Sequence, residues 1–236
     1  MRLDKMLSDC ALASRSEIKK YVRQGRITVN GEVVKAADMK VNEISDVVCF
    51  DGKRVLYKKF VYLMLNKPEG YVSATEDKND KTVLELVPEE YSGYDLFPAG
   101  RLDKYTTGLM ILTNDGQFAH EALAPKKHVE KTYEVTLRDE PTLDDVKAFE
   151  EGVYIEGGYL TKPASLVLCG GNEAVITIHE GRYHQIKQMF GARGNKVVKL
   201  NRISFGGLKL PENLKKGEVI ELTDNDLRAI FMQNAK

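Results

Sequence analysis

Over the first thirty residues the apolar positions fall at helical spacing and then change to alternation. Leu3, Met6, Leu7 and Cys10 recur every three or four residues, which predicts a helix with one buried stripe. Ser14 followed three positions later by Glu17 has the form of a capping box, and Ile18, Tyr21 and Val22 follow on one face. A second helix is therefore expected to run as far as Gly25. From Arg26 the period becomes two. Ile27 and Val29 lead into Asn30-Gly31, the strongest short hairpin signal, and a further strand is expected at 46–50. The order predicts a helix pair followed by a small curled sheet.

A charged stretch at 52–60 separates this module from the apolar run beginning at Val61. Beyond it come short strand-like pieces at 61–65, 109–113, 132–137, 165–168 and 174–179. Helices are expected at 142–151, opened by Thr142-x-x-Asp145, and at 183–190. The expected fold class is α+β with a mainly antiparallel sheet, divided into domains at 1–57 and 61–236. The chain has no internal repeat and no low-complexity tract.

The composition, 42% hydrophobic and 30% charged over 236 residues, is that of a folded globular protein. No uncharged apolar run reaches the length of a membrane span and the opening MRLDKMLSDC has no apolar signal core, so a cytoplasmic location without membrane association is expected. Cys10, Cys49 and Cys169 are odd in number and far apart, which predicts buried thiols rather than disulfides or a metal site. His120, His128, His179 and His184 form no metal-ligand pattern, and the paired glycines lack the spacing of a nucleotide-binding loop.

Net charge is zero, but it is unevenly spread. Residues 1–60 hold 13 Lys and Arg against 8 Asp and Glu, and residues 181–209 hold seven basic residues with no acidic one. Two basic regions suggest a polyanion contacted in two places.

The candidate chemistry lies in residues 100–116, GRLDKYTTGLMILTNDG. Gly100 and Gly108 bracket a loop that presents Arg101 and Asp103 just ahead of the β-rich segment LMILT, so Asp103 is a candidate nucleophile. The plainer alternative is that Asp103 caps a turn with Arg101 as its ion-pair partner. The longer string resembles the signature loop of pseudouridine synthases, in which the aspartate is the catalytic residue of uridine isomerisation. Further pieces resemble the same family in chain order. Asn66-Lys67-Pro68 ends the strand VYLML, although a tripeptide there reads equally as an ordinary turn. Lys131-Thr132-Tyr133 supplies the tyrosine that the family packs against the target base. In EGRYHQIKQMF at 180–190, Lys187 matches the cation beside the catalytic carboxylate.

The opening residues, with Arg2-Leu3-Asp4-Lys5, Ser14-Arg15 and Val29-Asn30-Gly31, resemble the S4 RNA-binding module. That likeness implies that Arg15, Lys19, Lys20, Arg23 and Arg26 face backbone phosphates, contacts that position a protein on RNA without reading its sequence. Taken together, the S4-like start, GRLD-x-x-TTGL, LTKPASL at 160–166 and the 180–190 segment are most similar to the RsuA-type branch. The implied activity is conversion of one uridine of small-subunit ribosomal RNA, free or in a partly assembled 30S particle, by a monomer without a cofactor. The pair Tyr183-His184 leans toward the small subunit, with a large-subunit target of a sister branch as the alternative. Gln188 and Gln117-Phe118 stand where relatives vary.

In this reading Asp103 either attacks the nucleoside or abstracts a proton, and Lys187 offsets the cost of burying its charge. The target base must leave its stack, with Arg101 filling the vacancy and Tyr133 offering a face to the base. Arg182 and His184 are assigned to RNA binding, His184 having no partner at catalytic spacing in the sequence. Two other classes stay open: a catalytically silent RNA-binding assembly factor, and a carboxylate-dependent glycosidase, which would need Asp115 or Glu130 as a second acid.

Overall fold

The computed structural model describes residues 1–124 and 129–232; His128, one of the four histidines weighed above, lies outside them. The chain divides into two compact units, Met1–Val61 with Val87–Leu96, and Tyr62–Leu86 with Phe97–Lys236. Residues 87–96 thus join the first unit, whereas a single cut near residue 60 leaves them with the second.

The first unit holds α1 (Leu3–Asp9), α2 (Arg15–Arg23) and the strands β1 (Ile27–Val29), β2 (Glu32–Val33), β3 (Val48–Phe50) and β4 (Lys53–Arg54). Ser14 and Glu17 close the expected capping box, each side chain accepting from the other's backbone N–H. The hairpin turns on Asn30 and Gly31, both left-handed at φ +53° and +85°, as a two-residue turn matched to strand twist requires. An antiparallel sheet in the order β2-β1-β3-β4 follows. Its core joins Leu3, Met6 and Leu7 of α1 to Ile18 and Val22 of α2 and to Ile27 and Val48 of the sheet.

The second unit contains β5 (Tyr62–Lys67), β6 (Phe97–Pro98), β7 (Thr107–Thr113), α3 (Gly116–Leu123), β8 (Lys131–Leu137), α4 (Leu143–Glu151), β9 (Tyr154–Ile155), β10 (Tyr159–Leu160), β11 (Ser165–Gly170), β12 (Glu173–Ile178), α5 (Gln185–Ala192), β13 (Val197–Phe205), β14 (Leu208–Lys209), β15 (Val219–Glu221) and α6 (Asp224–Ile230). The main sheet runs β11-β12-β8-β13-β7-β5-β15, with β14 on β13 and β6 on β7. Among these pairings only β7 with β13 is parallel, so the sheet is mixed and mainly antiparallel.

All seven residues of β7 are buried, as befits a strand covered on both faces. On one side Leu109 and Ile111 pack with Met64, Phe205, Ala119 and Ala122 of α3, and Ile230 of α6. Elsewhere in the unit Phe149 of α4 meets Phe190 of α5 with ring centroids 4.8 Å apart. The helix expected at 183–190 begins two residues later. His184 is left-handed (φ +49°), and this breaks the helical backbone ahead of Gln185.

Gly108 makes the parallel pairing possible. It stands opposite Arg202, its φ is +101°, and a Cβ there would lie 2.2 Å from the Arg202 carbonyl oxygen. The strand that follows the Asp103 loop is fixed against β13 only because this position has no side chain.

Candidate active site

Asp103 lies in the loop between β6 and β7, and that loop is fastened at each step. The Ser73 hydroxyl donates to the Leu102 carbonyl (2.7 Å) and accepts from the Leu102 N–H (3.0 Å). The Thr106 N–H closes a turn onto the Asp103 carbonyl, and the Gly70 N–H donates to the Lys104 carbonyl. Beneath the loop the Lys67 side chain is wholly buried, with Nζ 2.9–3.2 Å from the carbonyls of Pro68, Asp103, Lys104 and Thr106. Burial pushes its ammonium down to about 8, against the opposing pull of Asp103. Three carbonyls of the loop, those of Asp103, Lys104 and Thr106, thus converge on one cation, which holds this turn as a cap around Nζ. The sequence offered Asn66-Lys67-Pro68 as a family-like piece or equally an ordinary turn, and gave Lys67 no task of its own. The available signal was a lysine ending an otherwise apolar strand immediately before proline.

The side chain of Asp103 meets two residues from the 184–187 segment. Lys187 Nζ donates to Oδ2 at 2.8 Å. His184 Nε2 lies 3.3 Å from Oδ1, so His184 does have a partner at catalytic distance, one the linear sequence could not reveal. Asp103 is not fully buried as expected: its side chain keeps 27% exposure, because the loop ends at an open concavity. That concavity is lined by Arg101, Asp103, Tyr133, Arg182, His184 and Lys187, so six of the expected residues meet in one place. Tyr133 stands on β8 and is 7% exposed; Arg101 and Arg182 are exposed.

The glycosidase reading fails on geometry, since Asp103 is the one acidic residue lining the concavity among the described residues. Asp115 caps α3 through the N–H groups of Gln117 and Phe118 and accepts from the Tyr62 hydroxyl, while Glu130 sits 4.0 Å from His179. Among the described residues no group of three His, Cys, Asp or Glu side chains could hold a metal, and no helix is long and apolar enough to cross a membrane.

Residues 61–192 match the family model described as RNA pseudouridylate synthase. The chain belongs to that family. Residues 1–48 of the synthase match the S4 domain. It is 46% identical to an uncharacterised RNA pseudouridine synthase, YtzG, of Bacillus subtilis, over 98% of each chain. It is 41% identical to ribosomal small subunit pseudouridine synthase A of Escherichia coli, over 98% of this chain and all of the other, and 42% identical to the enzyme of that name in Yersinia pestis, over 98% of each. A crystal structure of a pseudouridylate synthase superposes with a TM-score of 0.69 at 38% identity, covering 98% of this chain and 99% of that one.

The residues expected to bind RNA in the synthase's S4 domain divide into two kinds. Arg15, Lys19, Lys20 and Arg23 are exposed on α2. Arg26 is engaged differently. Its guanidinium lies over the rings of Tyr21 and Phe50, 4.4 and 4.6 Å from their centroids, and forms a two-point ion pair with Asp51. Its charge is paired at the surface of the unit, with the side chain 36% exposed, so it is not a free cation. Gln188 also has a structural task. It accepts from the Glu156 N–H and donates to the Tyr183 carbonyl, joining α5 to the turn ahead of it.

Proposed function

We propose that this synthase isomerises one uridine of small-subunit ribosomal RNA to pseudouridine, with Asp103 as the catalytic carboxylate and Lys187 as its electrostatic partner. The reaction breaks the bond from C1′ to N1, turns the uracil ring, joins C1′ to C5, and moves a proton from C5 to N1. Atoms and oxidation state balance without a co-reactant, so the chemistry asks of the protein a base or nucleophile, a fixed geometry and an unstacked target. No cofactor enters this reading.

The observation that carries the proposal is the 2.8 Å pair of Lys187 and Asp103 in a concavity that also holds Tyr133 and Arg101. Asp103 attacks the nucleoside or abstracts a proton as the sugar rearranges; Lys187 favours its ionised form in either case. Tyr133 receives the base and Arg101 fills the space it leaves. The S4 domain docks the RNA through Arg15, Lys19, Lys20 and Arg23, with Arg182 and His184 meeting RNA at the concavity. The names of the Escherichia coli and Yersinia pestis relatives favour a small-subunit target, met as free RNA or in an assembling particle. In this reading the enzyme works as a monomer in the cytoplasm.

The test is pseudouridine mapping by carbodiimide modification and primer extension on ribosomal RNA from cells with and without the gene. Loss of one small-subunit site, restored by wild type and not by Asp103→Asn, is the expected result. Loss of a large-subunit site would move the target to the other subunit. An unchanged map would leave an RNA-binding factor without this activity.

A further inference from the structure

We infer that Arg182 is a preorganised seat for a backbone phosphate next to the target nucleotide, and that Tyr159 and Glu180 exist to hold it in position. This rests on the RNA-modifying reading above and adds to it a specific contact.

Glu180 is 9% exposed, yet among the described residues no cation lies within 4 Å of its carboxylate. Its Oε1 accepts from the Lys162 N–H (2.9 Å) and from Gln185 Nε2 (3.1 Å), and its Oε2 accepts from the Tyr159 hydroxyl (2.9 Å). Those neutral donors meet the need of a buried carboxylate for hydrogen bonds while leaving the nearby arginine unpaired. The Gln185 side chain also accepts from the Arg182 N–H at 3.0 Å, which fixes the backbone from which the guanidinium extends.

The other end of the network positions the Arg182 side chain. Tyr159, oriented by its bond to Glu180, lies under the guanidinium with Cζ 3.2 Å from the ring centroid. With Cζ this close over the ring, one face of the guanidinium is covered, and Arg182 also lines the concavity of Asp103. No carboxylate lies within 4 Å of Arg182 among the described residues, in contrast to Arg2, Arg26, Arg138 and Arg193, each paired with an aspartate.

A flat, stacked, uncompensated guanidinium suits a bidentate anion, and RNA offers one at every nucleotide. A uracil carbonyl would use one N–H and none of the charge. The stack also removes rotamer freedom before binding, so less is lost when the contact forms. Arg182 acts by binding; Tyr159 and Glu180 are positioning residues, acting through it.

The experiment compares the salt dependence of RNA binding by the full chain, using whichever ribosomal RNA transcript the wild type converts. A wrong choice of subunit then shows in the wild type alone, and the comparison still decides on Arg182. Each phosphate contact contributes about 0.7 to 0.9 to the slope of log affinity against log salt. Arg182→Gln is expected to lower the slope by about that amount and to weaken binding several-fold, with kcat at saturating RNA changed far less than KM. Tyr159→Leu is expected to weaken binding in the same direction. Arg182→Lys, which keeps the charge but not the fork or stack, is expected to keep most of the slope while losing affinity. Lys147→Gln removes an equal charge from exposed α4 and serves as the reference. An Arg182→Gln slope no different from that of Lys147→Gln would overturn the proposal, as would a loss confined to kcat.

Discussion

Lys187 Nζ lies 2.8 Å from Asp103 Oδ2 across 84 positions of sequence, one partner held by a pinned loop and the other by α5. The two arrive on separate elements, so neither depends on the other for its placement. Lys187→Met therefore leaves the Asp103 loop in place, held by Lys67 and Ser73, but strips the carboxylate of its cation. The expected result is a kcat loss of roughly 100-fold or more, with RNA affinity changed far less. Lys187→Arg should recover part of the rate. Single-turnover assays with saturating enzyme measure both; a Lys187→Met enzyme within a few-fold of wild type would dismiss the pair as catalytic.

His184 touches the other oxygen of Asp103 at 3.3 Å, with its ring stacked on Tyr183 at 3.8 Å between centroids. At 3.3 Å against 2.8 Å for Lys187, with both side chains about one-third exposed, it is the weaker of the two contacts. His184→Ala is expected to lower kcat by roughly 5-fold, the order of one partly solvated polar contact. His184→Asn accepts the left-handed backbone more readily and separates the backbone role from the side-chain role. Equal kcat for wild type and both variants would remove His184 from the site.

The elements read most easily from sequence are those whose signals are local. The capping boxes at Ser14 and Thr142, the turn at Asn30-Gly31 and the strand-like piece at 132–137 depend on signals within a few residues, and they stand where expected. What escaped depends on contacts distant in sequence. β13 reads as a basic stretch because Arg202, 3% exposed, is buried against the Leu109 carbonyl. α3 was hidden behind Asn-Asp-Gly, where Asp115 serves as its N-cap. The meeting of Arg101, Asp103, Tyr133 and Lys187 was legible through family likeness, but Lys67 and the His184 contact needed the fold.

Lys131 gives a pH prediction. Burial pushes its ammonium down to about 8, aided by repulsion from Arg202 and Lys162, while an unfolded lysine titrates near 10.5. Between those values the unfolded chain binds the extra proton, so this lysine makes stability rise with pH there, by at most about 1.4 kcal/mol per pH unit. Below about 8 the cost of its buried charge is constant. The stability of wild type relative to Lys131→Met should therefore increase from pH 8 to pH 10, while other titrating groups cancel in the difference. Chemical denaturation at several pH values tests this, and a difference that falls with pH would refute it.

Gly108 couples stability to the site. Adding a methyl group places Cβ 2.2 Å from the Arg202 carbonyl oxygen in a backbone at φ +101°, so both the clash and the dihedral oppose it. Gly108→Ala is expected to cost roughly 3 kcal/mol or more by separating β7 from β13, with a lower Tm and loss of activity together. Gly116→Ala, where a Cβ meets open space, is the comparison and should stay near wild type. A Gly108→Ala protein with unchanged Tm would mean that the parallel pairing is not the constraint on this loop.

The basic residues near α2 look equivalent in sequence, and the fold separates them. Lys19 and Arg23 are exposed along one helix face, four residues apart, with no ion-pair partner among the described residues. Arg26 instead bridges Tyr21, Phe50 and Asp51, holding the end of α2 to the strand that carries Phe50. Lys19→Gln and Arg23→Gln should therefore weaken RNA binding and flatten its salt dependence while leaving Tm within about a degree, since exposed charges add little to stability. Arg26→Gln should do the reverse, lowering Tm through the lost packing on Tyr21 and Phe50, with little change in the salt slope. Thermal unfolding and RNA binding on the three variants check both halves. If Arg26→Gln flattened the salt dependence as much as Arg23→Gln, its pairing with Asp51 would have to open on RNA, and Arg26 would return to the phosphate-binding set.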